Sequence, residues 1–162
     1  MPLDNLTIKQ IAGIYSGEIT NWKELGGPDA GIVVFNRDEA SGTRDCFNET
    51  VVKLQGKKFM PEAAVVTSNG DMISKVAGTP YSIGYCGFGY IDRDPAAKAL
   101  SVNSVLPREQ NVLSGQYPVS RKLNAIHKGD LVSGSLEKAF VDFLLSKEGQ
   151  AIVREERFIT IK

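Results

Sequence analysis

The hydrophobic and polar residues of the chain alternate between helical and strand patterns. Apolar residues recur at helical spacing over 6–15, behind a candidate N-cap at Thr7 and ahead of a closing Gly17. The all-apolar run at 32–35 is bounded by glycine and polar residues, which is typical of a strand covered on both faces. Helical spacing returns over 43–54. This alternation predicts an α/β fold.

The rest of the chain continues in the same way. Further strands are predicted at 64–67, 82–87, 123–127 and 158–161. Further helices are predicted at 21–25, 70–77, 107–113, 136–145 and 146–153. The glycines of the strand at 82–87 indicate that another element approaches it closely. The helix at 136–145 carries Phe140 and Phe143 on an apolar face that needs a cover.

The composition excludes some classes of partner. The 162 residues include 19 Lys+Arg and 19 Asp+Glu, so the net charge gives no reason to expect nucleic acid or an anionic membrane. The content of 42% hydrophobic and 23% charged residues is ordinary for a globular domain. No apolar run approaches the ~20 residues that span a bilayer. The chain also opens without the apolar segment of a secretory signal.

The residue inventory excludes several chemistries. The histidine His127 and the cysteines Cys46 and Cys86 cannot form a Cys/His zinc site by spacing. No GxxxxGK[ST], GxSxG or HExxH motif occurs. We therefore predict no metal, no cofactor and no catalytic residue, with His127 in a structural role. The two cysteines form either a disulfide or two buried thiols, and the sequence does not choose between them.

One stretch carries candidate binding chemistry: the turn from Arg37 to the sequence Ser41-Gly42-Thr43. A helix that begins here leaves up to four backbone N–H groups unpaired, and their partial positive charge attracts anions. Gly42 lets a ligand reach the backbone, while the Ser41 and Thr43 hydroxyls can bond an oxyanion. Arg37 adds a planar fork, and Glu39 is placed to pair with it. In the alternative interpretation, Ser41 or Thr43 only caps the helix and Arg37 is solvated.

Four ordered motifs resemble one family. The sequence Arg37-x-x-x-Ser41-Gly42-Thr43, followed by Phe47, is similar to the phosphate-contacting turn of the phosphate-binding proteins of ABC transporters, which belong to the type II periplasmic-binding-protein superfamily. The other matching segments are the helix and turn at 6–22 ending in Ile19-Thr20-Asn21-Trp22, the strand Ser82-Ile83-Gly84-Tyr85, and the return strand and helices at 117–150. Together they span nearly the whole chain.

The resemblance implies a periplasmic-binding-protein-like lobe with three α/β/α layers around a mixed sheet. Residues 1–118 correspond to the second lobe with its anion-binding turn, and 119–162 to a return strand and C-terminal helices that pack on the first lobe. The N-terminal part of that first lobe, with its acidic acceptor for the proton of hydrogen phosphate, has no counterpart. We therefore expect a fragment or a naturally short relative that binds weakly. Asp38 and Asp45 are expected in turn and helix roles instead.

The resemblance also implies a function, namely non-catalytic binding of inorganic phosphate for ABC-transporter uptake or phosphate sensing. The implied ligands are Arg37, Ser41, Gly42 and Thr43, with Glu39 in support. Such a protein works with a transporter permease and is periplasmic or extracellular, associated with the cell surface. The apolar C-terminal segment either folds back on the first 118 residues or is covered by another chain, for instance in a homodimer that exchanges segments.

Other functions stay open. The turn would equally hold another oxyanion such as sulfate, or the chain is a structural or signalling module without a ligand. An enzyme acting on phosphorylated substrates is disfavoured because the sequence shows no nucleophile–base pair or metal cluster near the turn. Arg44 is either a second positive contact or a surface side chain. The pair Asn69-Gly70 either lines the cleft or only forms a turn.

Overall fold

The computed structural model describes residues 3–91 and 93–161, and the elements below lie within them. The strands are β1 Asn5–Leu6, β2 Val33–Arg37, β3 Ala64–Val66, β4 Ser82–Ile83 and β5 Ser101–Val102. The α-helices are α1 Ile8–Tyr15, α2 Gly42–Phe47, α3 Asn69–Gly78, α4 Glu109–Leu113, α5 Leu136–Leu145 and α6 Lys147–Glu155. These residues fall into two compact units, one that ends at Ser120 and one that begins at Arg121.

A three-stranded parallel sheet in the order β3–β2–β4 organises the first unit. Phe35 and Arg37 of β2 are in register with Ala64 and Val66 of β3, and Val33 is in register with Ser82 of β4. The direction is parallel because a helix connects each strand to the next. The ladders of the described residues are all parallel, and antiparallel pairing is confined to isolated bridges, whereas a mixed sheet was expected.

Helices cover both faces of this sheet, as predicted for an α/β lobe. Successive residues of β2 point to opposite faces. Val34 joins a buried cluster with residues of α1 and of the helix that begins at Gly42. Phe35 joins a second cluster with Val66 and Met72 of α3. Each fully buried side chain of this size contributes roughly 1.5–3 kcal/mol to stability. The α/β fold class with three layers is thus confirmed.

The predicted N-terminal helix is observed as α1, with Thr7 as its N-cap. Thr7 Oγ1 accepts a hydrogen bond from Gln10 N at 3.2 Å, and Gln10 Oε1 accepts one from Thr7 N at 2.8 Å. These two bonds form a capping box, which satisfies donors that the helix cannot pair. Leu6, expected in the helix, belongs instead to β1, which pairs in parallel with β5.

The helix predicted at 43–54 begins at Gly42 and changes pitch along its length. After α2, a π-helical segment runs over Asn48–Val52 and a 3-10 turn over Lys53–Gln55. Gly56 ends the segment with φ at 67°, the left-handed conformation in which glycine is favoured.

Three predicted strands differ from the structure. The strand at 82–87 is regular only over Ser82–Ile83. The segments 123–127 and 158–161 are not strands, although the alternation at 123–127 is strand-like. Alternation alone is insufficient because a strand exists only where its N–H and C=O groups pair with a neighbour. Ile126 is 94% exposed, so the segment also lacks a covered face.

The second unit contains α5 and α6, both of which were predicted. Ser135 and Ser146 cap them, with Oγ atoms that accept from Lys138 N at 3.2 Å and from Gly149 N at 3.1 Å. The apolar face of α5 stays open, with Phe140 57% exposed. Within the described part of the chain, no helix has the length and apolar composition needed to cross a membrane.

Candidate anion-binding site

The Arg37 side chain is buried at the carboxyl end of β2, with only 8% of the residue exposed. Its Nε donates to the Val66 carbonyl at 3.1 Å and its Nη2 to the Thr67 carbonyl at 3.0 Å. Its Nη1 donates to Asn69 Oδ1 at 2.9 Å, and Nη2 also contacts Asp38 Oδ2 at 3.4 Å. A guanidinium has five N–H donors. One N–H of Nη1 therefore has no acceptor among the described residues.

The acidic partner of Arg37 is Asp38 and not Glu39, so the predicted pairing was wrong. Asp38 also accepts from Ala40 N at 3.1 Å through Oδ1, which folds the turn back towards the strand end. This local bond brings the Asp38 carboxylate to the guanidinium, while Glu39 is exposed. Arg37 is accordingly a fixed, buried cation, and the alternative in which it is solvated is excluded.

Ser41 is the buried N-cap of α2. Its Oγ accepts from Arg44 N at 3.2 Å, and its own N–H donates to the Asp38 carbonyl at 3.2 Å. The capping interpretation therefore holds for Ser41, but the hydroxyl hydrogen is still available to a ligand. Within the described residues, the N–H groups of Gly42 and Thr43 and the Thr43 hydroxyl have no acceptor. These donors follow Arg37 at the same edge of the sheet.

An aromatic cluster supports the turn from behind. The Phe47 ring stacks on Tyr85 with 4.0 Å between centroids, and Tyr15 packs edge-on against Phe47 at 4.7 Å. The Tyr85 hydroxyl donates to Asn36 Oδ1 at 2.5 Å and accepts from Arg37 N at 3.2 Å. Burial raises the pKa of Tyr85 to about 12, so the hydroxyl stays protonated at neutral pH.

Arg44 lies against this cluster rather than on the open surface. Its guanidinium carbon is 4.9 Å from the centre of the Phe59 ring, a cation–π contact. The Nε atom of Arg44 is buried and has no hydrogen-bond partner among the residues that the structure describes. Its charge is also near enough to lower the pKa of Tyr85, against the larger effect of burial. Arg44 thus adds positive potential close to the turn.

Asn69 is the site residue that sequence reasoning left undecided. It opens α3 behind Ser68, whose Oγ accepts from Asp71 N at 3.0 Å. Asn69 Oδ1 accepts from both Arg37 Nη1 and Gly87 N, the latter at 3.2 Å. The signal available in the sequence was that Asn69 opens a helix shortly after a predicted strand, whereas the position of that strand beside β2 comes from the structure.

The remaining singled-out residues lie elsewhere. Asp45 is an exposed acid in the first turn of α2, as expected. Cys46 and Cys86 are half-buried thiols and not a disulfide. Burial raises the pKa of Cys86 to about 11, which keeps it protonated at neutral pH. His127 is exposed and belongs to the second unit.

Comparison with known proteins agrees with this architecture. Residues 1–148 match the family model of the PBP superfamily domain. The phosphate-binding protein PstS of Borreliella burgdorferi is 38% identical over 99% of this chain, and that of Bacillus subtilis is 35% identical over 94%. The chain spans 60% of the former protein and 49% of the latter.

Solved structures give the same result. A phosphate ABC transporter substrate-binding protein with bound phosphate from Clostridium perfringens is 42% identical, with a TM-score of 0.82 over 99% of this chain and 65% of its own. An ABC-type phosphate transport receptor from Vibrio cholerae is 32% identical, with a TM-score of 0.86 over 98% of this chain and 65% of its own. The family match and these shared folds lead to one conclusion: the chain belongs to the PBP superfamily.

Proposed function

We propose that the chain binds inorganic phosphate, without catalysis, for uptake by an ABC transporter or for phosphate sensing. The observation that carries this proposal is a buried Arg37 at the end of β2, followed along the chain by Gly42 and Thr43. Among the described residues, one N–H of Arg37 Nη1 and the backbone N–H groups of Gly42 and Thr43 have no acceptor. The names of the relatives support it, since they are phosphate-binding proteins and one solved relative holds phosphate.

In this proposal each residue of the turn has a distinct part. Arg37 supplies charge and a single N–H, not the two-pronged fork expected from the sequence, because its other donors are used within the protein. Gly42 and Thr43 supply backbone N–H groups at a helix N-terminus, where an anion is stabilised. The Thr43 hydroxyl donates or accepts, and the Ser41 hydroxyl donates while its oxygen caps α2.

The division of labour along the chain is also a proposal. Residues 1–118 form the lobe that carries the anion turn, and residues 119–162 form a return segment that packs on another protein surface. The exposed apolar side chains of α5 support the second part. We propose a second copy of the chain as that surface, a transporter permease as the partner in uptake, and a periplasmic or extracellular location at the cell surface.

Calorimetric titration with phosphate tests the function, using the wild type, Arg37→Ala and Thr43→Val. Charge-assisted hydrogen bonds contribute about 1.5–3 kcal/mol each, so Arg37→Ala weakens binding by roughly 10- to 150-fold. Thr43→Val removes a hydroxyl that has no partner among the described residues, so it weakens binding without loss of stability. Arg121→Ala, which removes an exposed arginine, is the control.

Two outcomes would contradict the proposal. Heat of phosphate binding that Arg37→Ala leaves unchanged excludes this turn as the site. No binding by the wild type favours the structural or signalling module. A parallel titration with sulfate shows whether the turn prefers phosphate or binds another tetrahedral oxyanion equally well.

A further inference from the structure

The Arg37 guanidinium is held by acceptors of three kinds. The Val66 carbonyl is at the end of β3 and the Thr67 carbonyl follows it, while the Asp38 carboxylate is a 3.4 Å contact that is partly open to solvent. The Asn69 amide oxygen is the neutral side-chain acceptor, at 2.9 Å from Nη1. We propose that Asn69 is a positioning residue for the anion site, because it fixes the guanidinium of Arg37 without cancelling its charge. This role of Asn69 rests on the proposed function.

The position of the Asn69 oxygen is itself fixed by a backbone donor. Oδ1 accepts from Gly87 N at 3.2 Å as well as from Arg37 Nη1. Because both partners are donors, the amide oxygen faces them and Nδ2 faces away. Asn69 thereby ties the end of β2 to the loop that follows β4.

The neutrality of this acceptor has a functional consequence. Arg37 already has one carboxylate partner, Asp38, so a second carboxylate at position 69 would leave two negative groups around one positive group. Such a site would still hold the guanidinium but would repel an anion. An amide gives the same geometry and keeps the positive charge of Arg37 available to the ligand.

This reasoning separates two variants of Asn69. Asn69→Ala removes the acceptor, so the Arg37 guanidinium turns more freely and phosphate binding weakens by about tenfold. Asn69→Asp keeps the acceptor, so the guanidinium stays ordered, and yet phosphate binding weakens at least as much. Loss of affinity without loss of order is a result that a merely structural role would not give.

The control is Ser68→Ala, one residue away. It removes the cap bond from Asp71 N and destabilises the start of α3, but it leaves the Asn69–Arg37 hydrogen bond in place. We expect a lower melting temperature with phosphate affinity within twofold of the wild type. If Ser68→Ala weakens phosphate binding as much as Asn69→Ala does, destabilisation of α3 explains the effect and the inference is overturned.

Order at Arg37 is measured by nuclear magnetic resonance of its guanidinium N–H groups, assigned by comparison with Arg37→Lys. Restricted rotation gives separate Nη signals in the wild type and in Asn69→Asp, and Asn69→Ala merges or broadens them. Unchanged Nη signals in Asn69→Ala overturn the inference. This measurement needs no ligand, so it tests the role of Asn69 independently of the phosphate titration. Failure of the wild type to bind phosphate would contradict the proposed function, but not the role of Asn69 in fixing the Arg37 guanidinium.

Discussion

The Tyr85 ring lies parallel to the Phe47 ring, with 4.0 Å between their centroids and 5° between their planes. Tyr85 follows β4 and Phe47 ends α2, so the stack joins the sheet to the helix that begins at the anion turn. The hydroxyl of the same tyrosine bonds Asn36 and the backbone of Arg37. A single side chain therefore contacts both the end of α2 and the strand end that carries the cation.

Tyr85→Phe tests the hydroxyl alone. The variant keeps the stacked ring and removes the bond to Asn36 Oδ1, while the Arg37 N–H retains Asn36 Oδ1 as an acceptor at 2.9 Å. We expect the free energy of unfolding to fall by about 1 kcal/mol, measured by urea denaturation. Tyr81→Phe is the matched control, because Tyr81 is 48% exposed. Equal losses in the two variants would contradict a specific role for the Tyr85 hydroxyl.

The free energy of unfolding should fall in alkaline solution because two buried groups, Tyr85 and Cys86, have raised pKa values. Burial raises the pKa of Tyr85 from 10.0 to about 12 and that of Cys86 from 9.0 to about 11. The unfolded chain therefore loses these protons first, and their ionisation favours unfolding as pH rises. The contribution of Cys86 is complete below pH 9.0 and is lost towards pH 11, and that of Tyr85 is lost between pH 10.0 and 12.

The measurement is the free energy of unfolding against pH for the wild type, Tyr85→Phe and Cys86→Ala. Tyr85→Phe should flatten the curve above pH 10.0, and Cys86→Ala should flatten it from pH 9.0 upwards. Parallel curves for all three proteins would show that these two groups are not the cause of the alkaline loss.

Local signals in the sequence were enough to predict most helices. Thr7 was predicted as the N-cap of the first helix, and the helix at 136–145 was predicted from the spacing of its apolar residues. Both signals depend only on neighbouring residues. The pairing of Asn5 with Ser101 involves residues far apart in the sequence, and no local pattern encodes it. The strand prediction at 123–127 was wrong for the opposite reason, because the described part of the chain provides no strand that pairs with this alternating segment.

In the candidate site, too, the arrangement of sequence neighbours was predictable and the contacts between distant residues were not. The sequence places Arg37 and Ser41 near each other because a strand end and a helix start follow directly. It does not give the contact with Asn69, which arises because β3 lies parallel to β2 with Val66 beside Arg37. The choice of Asp38 over Glu39 depends on the bond from Ala40 N, a detail of the turn that residue spacing does not fix.

Gly84→Ala tests the close approach predicted for the glycines after β4. A Cβ atom at this position would lie 2.8 Å from Val76 Cγ2 and closer still to Met72, both on α3. Such overpacking costs about 1–3 kcal/mol, to be measured by thermal and urea unfolding. Gly78→Ala is the control, because a Cβ there has no atom of the described residues within 4 Å. Similar stability of the two variants would contradict the tight contact between α3 and the residues after β4.

The apolar face of α5 predicts self-association. Phe140 is 57% exposed and Phe143 46%, and exposed aromatic side chains so close together favour burial against a partner surface. We expect the molar mass from size-exclusion chromatography with light scattering to rise with concentration towards that of a dimer. Phe140→Ser should shift the mass back to the monomer, whereas Lys147→Ser, at an exposed polar position of α6, should not. A second copy is proposed as the cover because dimer formation would bury this apolar face. A strict monomer at the highest concentration would contradict that proposal, and so would a dimer whose mass does not change in Phe140→Ser.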